Sequence, residues 1–153
     1  MKSSYDVVIV GGAVIGSAVA YFLMANPDFK GSVLIVERDP FFAKASTSLS
    51  AASIRTQFSN PINVKISQFG TRFIQDFAQT MQVAGEAAPD LNFHPGGYLF
   101  LAGTEAQEQT LRENHAVQVA CGADVVLWDQ AALHRALPHL NVDDIRLASY
   151  GQS

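Results

Sequence analysis

Apolar positions along the chain change their period several times, and each change predicts an element. Residues 5–10 end in Val7-Val8-Ile9-Val10, a short β-branched run closed by glycine, which predicts a buried strand. Positions 11–16 then form a tight turn. From Val14 the apolar residues recur three and four apart (Val14, Ala18, Tyr21/Phe22, Ala25), predicting a helix that Asn26-Pro27 ends. Gly31 turns the chain into Val33-Leu34-Ile35-Val36, a second buried strand. Strand, helix and strand in this order make a βαβ unit, in which the two strands run parallel through a right-handed crossover.

Beyond residue 39 the pattern loosens. Residues 39–59 are small, polar and irregular, rich in Ser, Thr and Ala. Such a stretch is either low-complexity loop or a loop that lets its backbone approach a ligand. Asn60-Pro61 is an N-cap followed by a first-turn proline and opens a long helix. Ile62, Ile66, Phe69, Phe73, Phe77 and Met81 repeat along it at helical spacing, and this stripe is expected to pack in the core. Residues 84–93 read as linker, His94-Pro95-Gly96-Gly97 as a turn, and residues 98–101 as a strand. Thr104 and Gln107 make a capping box for a helix that Gly122 stops near Ala120. Residues 125–128 read as a strand, Asp129 caps a short helix closed by Pro138, and residues 145–150 read as a last strand. No internal repeat is present.

Composition narrows the class. The chain has 153 residues, 48% hydrophobic and 16% charged, which suits a folded chain rather than a disordered one. The net charge is −4 and no Lys/Arg cluster occurs, so nucleic-acid binding is not expected. A single cysteine, Cys121, excludes an internal disulfide and a cysteine-based metal site. His94, His115, His134 and His139 lack metal-ligand spacing, so no metal is expected. Cys121 reads as packing and Asp143-Asp144 as a solvated loop. Positions 7–27 carry no charge over 21 residues, long enough for a membrane span. Gly11-Gly12 interrupts that run, and its halves differ in kind, so no transmembrane span is expected. The composition suits a soluble cytoplasmic protein.

The densest signal is Gly11-Gly12-Ala13-Val14-Ile15-Gly16 between the first strand and the helix, with Glu37 closing the second strand. Gly11 permits the turn, position 13 must bring backbone close to a pyrophosphate, and Gly16 lets the helix pack on the strand. The helix N-terminus offers N–H groups and partial positive charge to phosphates. Glu37 can accept from a ribose 2′-hydroxyl, and its charge disfavours a 2′-phosphate. Ala13 stands where the motif has its second glycine, the smallest departure the motif could suffer. The context predicts a dinucleotide site in an α/β, Rossmann-like βαβ unit.

The order of segments resembles the D-amino-acid oxidase-like family of FAD-dependent oxidoreductases, with sarcosine oxidase, glycine oxidase and dimethylglycine dehydrogenase among its members. The carriers are VVIVGGAVIGSAVAYFL, VLIVERDP, ASTSLSAASIRTQFS, PINVKISQFGTRFIQDF and GGYLFLA. The resemblance implies that residues 1–60 form the N-terminal part of an FAD-binding domain and residues 61–153 a helix and part of an α+β substrate domain. It implies that the 11–16 turn holds the FAD pyrophosphate and that Glu37 binds the adenosine ribose, with Arg38 near the adenine. Ser46, Thr47 and Ser48 would lie along the FAD. Arg55 would stand near the flavin ring, where a cation stabilises reduced, anionic flavin; the alternative for Arg55 is a structural ion pair. No histidine occurs in residues 46–53, so the FAD is expected to be bound non-covalently. The implied reaction is oxidation of a C–N bond in an amino acid or N-methylated amine. Family members are well over twice this length, so the chain is expected to be an N-terminal portion, truncated and inactive alone. The alternatives are a non-catalytic nucleotide-binding fragment and an NAD-dependent dehydrogenase. Catalytic residues and oligomeric state are not implied.

Overall fold

The structure is a computed structural model that describes residues 3–86 and 88–152. Its contacts divide the chain into two compact units, Met1–Ser53 and Ile54–Ser153.

The first unit is the expected βαβ. Strand β1 (Val7–Val10), helix α1 (Val14–Ala25) and strand β2 (Val33–Val36) follow one another. The strands pair in parallel, with Val7 opposite Val33 and Val10 opposite Val36. The Gly11 N–H donates to the Val36 carbonyl at 2.8 Å and extends the pairing one residue into the turn. The strand begins at Val7 rather than Tyr5, because Asp6 is drawn into the loop after α1. Its carboxylate accepts from the Ser32 amide at 2.7 Å and the Ser32 hydroxyl at 2.8 Å. Much of the apolar surface in this unit is uncovered: Val8, Val10, Ile35 and Val36 are exposed, Val10 by 87%. The uncharged 7–27 run is thus a four-residue strand, a turn and a 12-residue helix. No described helix is long and apolar enough to cross a membrane.

In the second unit, helix α2 (Pro61–Gln75) is followed by a one-turn helix α3 (Phe77–Thr80), strand β3 (Tyr98–Ala102), helix α4 (Glu105–Ala120), strand β4 (Val125–Trp128), helix α5 (Gln130–Ala136) and strand β5 (Leu147–Gly151). The sheet is antiparallel in the order β3-β5-β4, with the last strand central. Local chemistry starts α2, α4 and α5 as expected. The Asn60 side chain accepts from the Ile62 amide, the Thr104–Gln107 capping box is complete, and Asp129 accepts from the Ala132 amide. Gly122, at φ +73°, follows the end of α4. One part of the core gathers Val64, Ala123 and Val125 with Phe58 and Cys121, so Cys121 packs as expected. Another gathers Leu133, Val142 and Ala148 with Leu99, Trp128 and Leu140.

The stripe on α2 is a correction. Ile62, Ile66 and Phe69 are exposed, the last two by 60% and 51%. The residues this helix buries are Val64 and Thr71, and Gln68 between them donates to the Cys121 carbonyl. That face lies two positions along the chain from the stripe, roughly 200° round the helix. The stripe's aromatic rings meet one another instead: Phe69 stacks on Phe73 and Phe73 meets Phe77 edge-on. The expected single helix also breaks at Asp76, whose φ of −89° and ψ of 5° lie off helical values. The last strand starts at Leu147 rather than residue 145, since the Ile145 amide is held in a turn by the Val142 carbonyl.

Candidate dinucleotide site

The first unit forms a cleft of about 500 Å³ at the carboxyl ends of β1 and β2. Gly11, Ala13, Ile15, Glu37, Arg38, Ser46 and Thr47 line it, so seven of the twelve residues picked out from the sequence meet there. Gly12, Val14, Gly16 and Ser48 are not in the lining. Gly12 is buried behind it, and Val14 and Ser48 are exposed. Arg55 belongs to the second unit.

The turn into α1 needs its glycines for separate reasons. Gly11 sits at φ +104°, a conformation strained for any residue with a Cβ. A Cβ on Gly16 would overlap the Gly11 carbonyl oxygen, so α1 meets the turn only because Gly16 lacks one. Gly12 packs on β2, where a Cβ would come 3.3 Å from both the Glu37 Cβ and the Ile35 side chain. Both of its backbone groups are engaged: the N–H donates to Glu37 Oε2 at 2.7 Å, and the carbonyl accepts from the Ser17 hydroxyl at 2.6 Å.

Helix α1 differs from its neighbours at its N-terminus. Side chains cap α2, α4 and α5, but Ala13 at the N-cap of α1 brings no oxygen, and no acidic residue stands in the first turn. The first amides of a helix have no acceptor within it. Those of Val14, Ile15 and Gly16 have no side-chain cap among the described residues, at the positive end of the helix dipole.

Glu37 is held from two sides. Oε2 accepts from the Gly12 amide and Oε1 from the Asp39 amide at 2.8 Å. The Gly12 bond, then the Asp39 bond, hold its pKa below the ordinary value of 4.5 against the opposing effect of desolvation; the amide and charge of Arg38 add to the lowering. An ionised carboxylate offers about four lone-pair positions, so two amides leave room for ribose hydroxyls.

The loop after β2 contains residues that sequence reasoning passed over. Asp39 accepts from the Phe41 amide at 3.1 Å and the Ala43 amide at 2.9 Å. Phe42 and Lys44 line the cleft, and Phe42 adopts φ 54°, uncommon for a bulky residue. Asp39-Pro40 is a turn-starting pair and could have signalled this tight turn. Nothing local signals the left-handed Phe42.

In the second unit the Arg55 guanidinium lies over three rings, 4.8 Å from the centroid of Phe58 and 5.5 Å from those of Tyr98 and Phe100. No carboxylate engages it among the described residues, and its buried Nε has no hydrogen-bond partner there. Beside it Gln57 Nε2 donates to both the carbonyl and the hydroxyl of Ser149. The described residues hold no cluster of His, Cys, Asp or Glu fit for a metal.

Residues 6–152 match the family described as FAD dependent oxidoreductase (DAO). The chain belongs to that family. Membership decides between the flavin and nicotinamide readings in favour of flavin. Among curated relatives, FAD-dependent oxidoreductase domain-containing protein 1 of Xenopus laevis is 43% identical over 148 residues, covering 95% of this chain and 30% of the relative. The Bos taurus protein of the same description is 42% identical at the same coverage. The chain thus spans about 30% of the length of these relatives. The L-proline dehydrogenase of P. horikoshii shares the fold at TM-score 0.78 and 21% identity, over 99% of this chain and 37% of that one. Glycine oxidase of Geobacillus kaustophilus does so at TM-score 0.72 and 22% identity, over 97% and 39%. An α/β, Rossmann-like FAD-binding fold is therefore established for this member of the DAO family.

The cleft fits the ADP end of FAD. It joins an uncapped helix N-terminus, a tight turn at Gly11 followed by the small side chain of Ala13, and a carboxylate with acceptor capacity to spare.

Proposed function

We propose that the first unit binds the ADP moiety of FAD, non-covalently, and that the chain serves an oxidoreductase acting on a C–N bond of an amino acid or N-methylated amine. The observation that carries the proposal is the meeting of the uncapped α1 N-terminus and Glu37 in one cleft. The Val14, Ile15 and Gly16 amides donate to the pyrophosphate, and Glu37 accepts from the adenosine ribose. Ser46 and Thr47 present hydroxyls along the cleft wall, and Ser48 continues that run. Arg38 stands at the adenine end. FAD supplies the redox chemistry when bound, and the protein supplies binding, orientation and electrostatics. Arg55 is assigned to the flavin ring on the family resemblance. Its charge suits that place because it rests on aromatic faces and no carboxylate pairs with it among the described residues. The amine substrate class rests on the family and on relatives such as the protein named sarcosine oxidase subunit beta in Rhizobium meliloti, 25% identical over 98% of this chain.

Calorimetric titration with ADP and with FAD tests the site. The chain is expected to bind both, and Glu37→Gln to weaken binding by roughly one to two orders of magnitude, the scale of a hydrogen bond to a charged acceptor. Equal affinity of the variant and the parent chain would remove Glu37 from the site.

A further inference from the structure

The charges around the cleft are unevenly committed. Its ionisable lining residues are Glu37, Arg38, Asp39 and Lys44, which sum to no net charge. Both carboxylates already serve backbone amides: Glu37 holds Gly12 and Asp39, while Asp39 holds Phe41 and Ala43. Neither cation has an ion pair or hydrogen bond among the described residues. Of the two, Arg38 adjoins Glu37, and its charge acts on that carboxylate. No carboxylate reaches Lys44 within ion-pair distance among the described residues. It stands on a turn fixed at both neighbours, by the Ala43 amide on Asp39 and the Ala45 amide on the Phe42 carbonyl at 3.0 Å.

A pyrophosphate brings about two negative charges, whereas the α1 N-terminus supplies only about half a positive charge. A further cation that no carboxylate pairs would serve such a site. We infer that Lys44 is a pyrophosphate-binding residue of this cleft, with its ammonium set against the phosphate oxygens. The inference rests on the dinucleotide reading above and adds a residue that the glycine motif does not contain.

The test is titration of the purified chain with ADP and with adenosine at several salt concentrations. Lys44→Gln is expected to weaken ADP binding about tenfold, as loss of one charge-assisted contact should. It should leave adenosine affinity unchanged and flatten the salt dependence of ADP affinity, because one fewer charge is screened. Lys44→Arg should restore most of the ADP affinity. Equal ADP affinity and salt dependence in Lys44→Gln would overturn the inference alone. Loss of adenosine binding in that variant would overturn it too, by showing that Lys44 shapes the loop. A parent chain that binds neither ligand would instead overturn the dinucleotide reading, and the Lys44 role with it.

Discussion

At the scale of single residues, Glu37 links the turn before α1 to the loop after β2. Its lowered pKa, caused first by the Gly12 amide and then by the Asp39 amide, makes a statement about stability. A carboxyl group whose pKa is depressed by folding stabilises the fold above its ordinary value. That contribution disappears as pH falls through the depressed value. Thermal melts from pH 6 down to pH 3 should therefore show the parent chain losing stability below about 4.5, the ordinary value, with Glu37→Gln losing less over the same range. Parallel curves would mean that the two amide bonds do not persist in solution. Gly12 gives the carboxylate its partner: the amide of this buried residue donates to Glu37 Oε2.

Elements are joined in the first unit by one close approach. Helix α1 leaves the turn at an angle set by Gly16 lying against the Gly11 carbonyl. Gly16→Ala must move either the helix or the peptide after Gly11, because the obstacle is backbone and cannot rotate away. The expected cost is on the order of 1–3 kcal/mol, the range for forced overpacking. Denaturant melts should show this loss, and ADP titration should show weaker binding, since the α1 amides shift with the helix. A variant with parental stability would mean that α1 is not pressed on the turn. At α2, by contrast, the element formed as its caps dictate, but its burial did not follow its apolar stripe.

For the whole molecule, two parallel strands with exposed Val8, Val10, Ile35 and Val36 form an unusual surface, since parallel sheets are normally covered on both faces. The 153-residue chain on its own should bind an apolar fluorescent dye and scatter light as it self-associates with rising concentration. It should not reduce a dye acceptor with amino acids or N-methyl amines. The site proposed above takes the ADP end of FAD, and loss of substrate orientation alone costs about 7–11 kcal/mol of barrier lowering. A monodisperse monomer that leaves the dye dark would contradict the first expectation, and substrate-dependent reduction the second.

Local chemistry was enough to read most of the elements and the turn that lines the candidate cleft. A β-branched run closed by glycine, the Asn60, Thr104 and Asp129 caps, and Gly122 each act within a few residues, so their effects are written in sequence. The Gly11–Gly16 turn with Glu37 was legible for the same reason, because a βαβ unit brings its two strand ends together whatever surrounds them. Three features were decided only by tertiary structure. The buried face of α2 depends on where Ala123 and Val125 lie, and a helix with apolar residues on both sides offers two faces to choose from. The setting of Arg55 depends on β3 carrying Tyr98 and Phe100 to it across more than forty residues. That no carboxylate pairs with Lys44 among the described residues depends on Glu37 and Asp39 having turned to the backbone. In each case the deciding quantity is contact or charge balance between segments far apart in the chain, which no local pattern encodes.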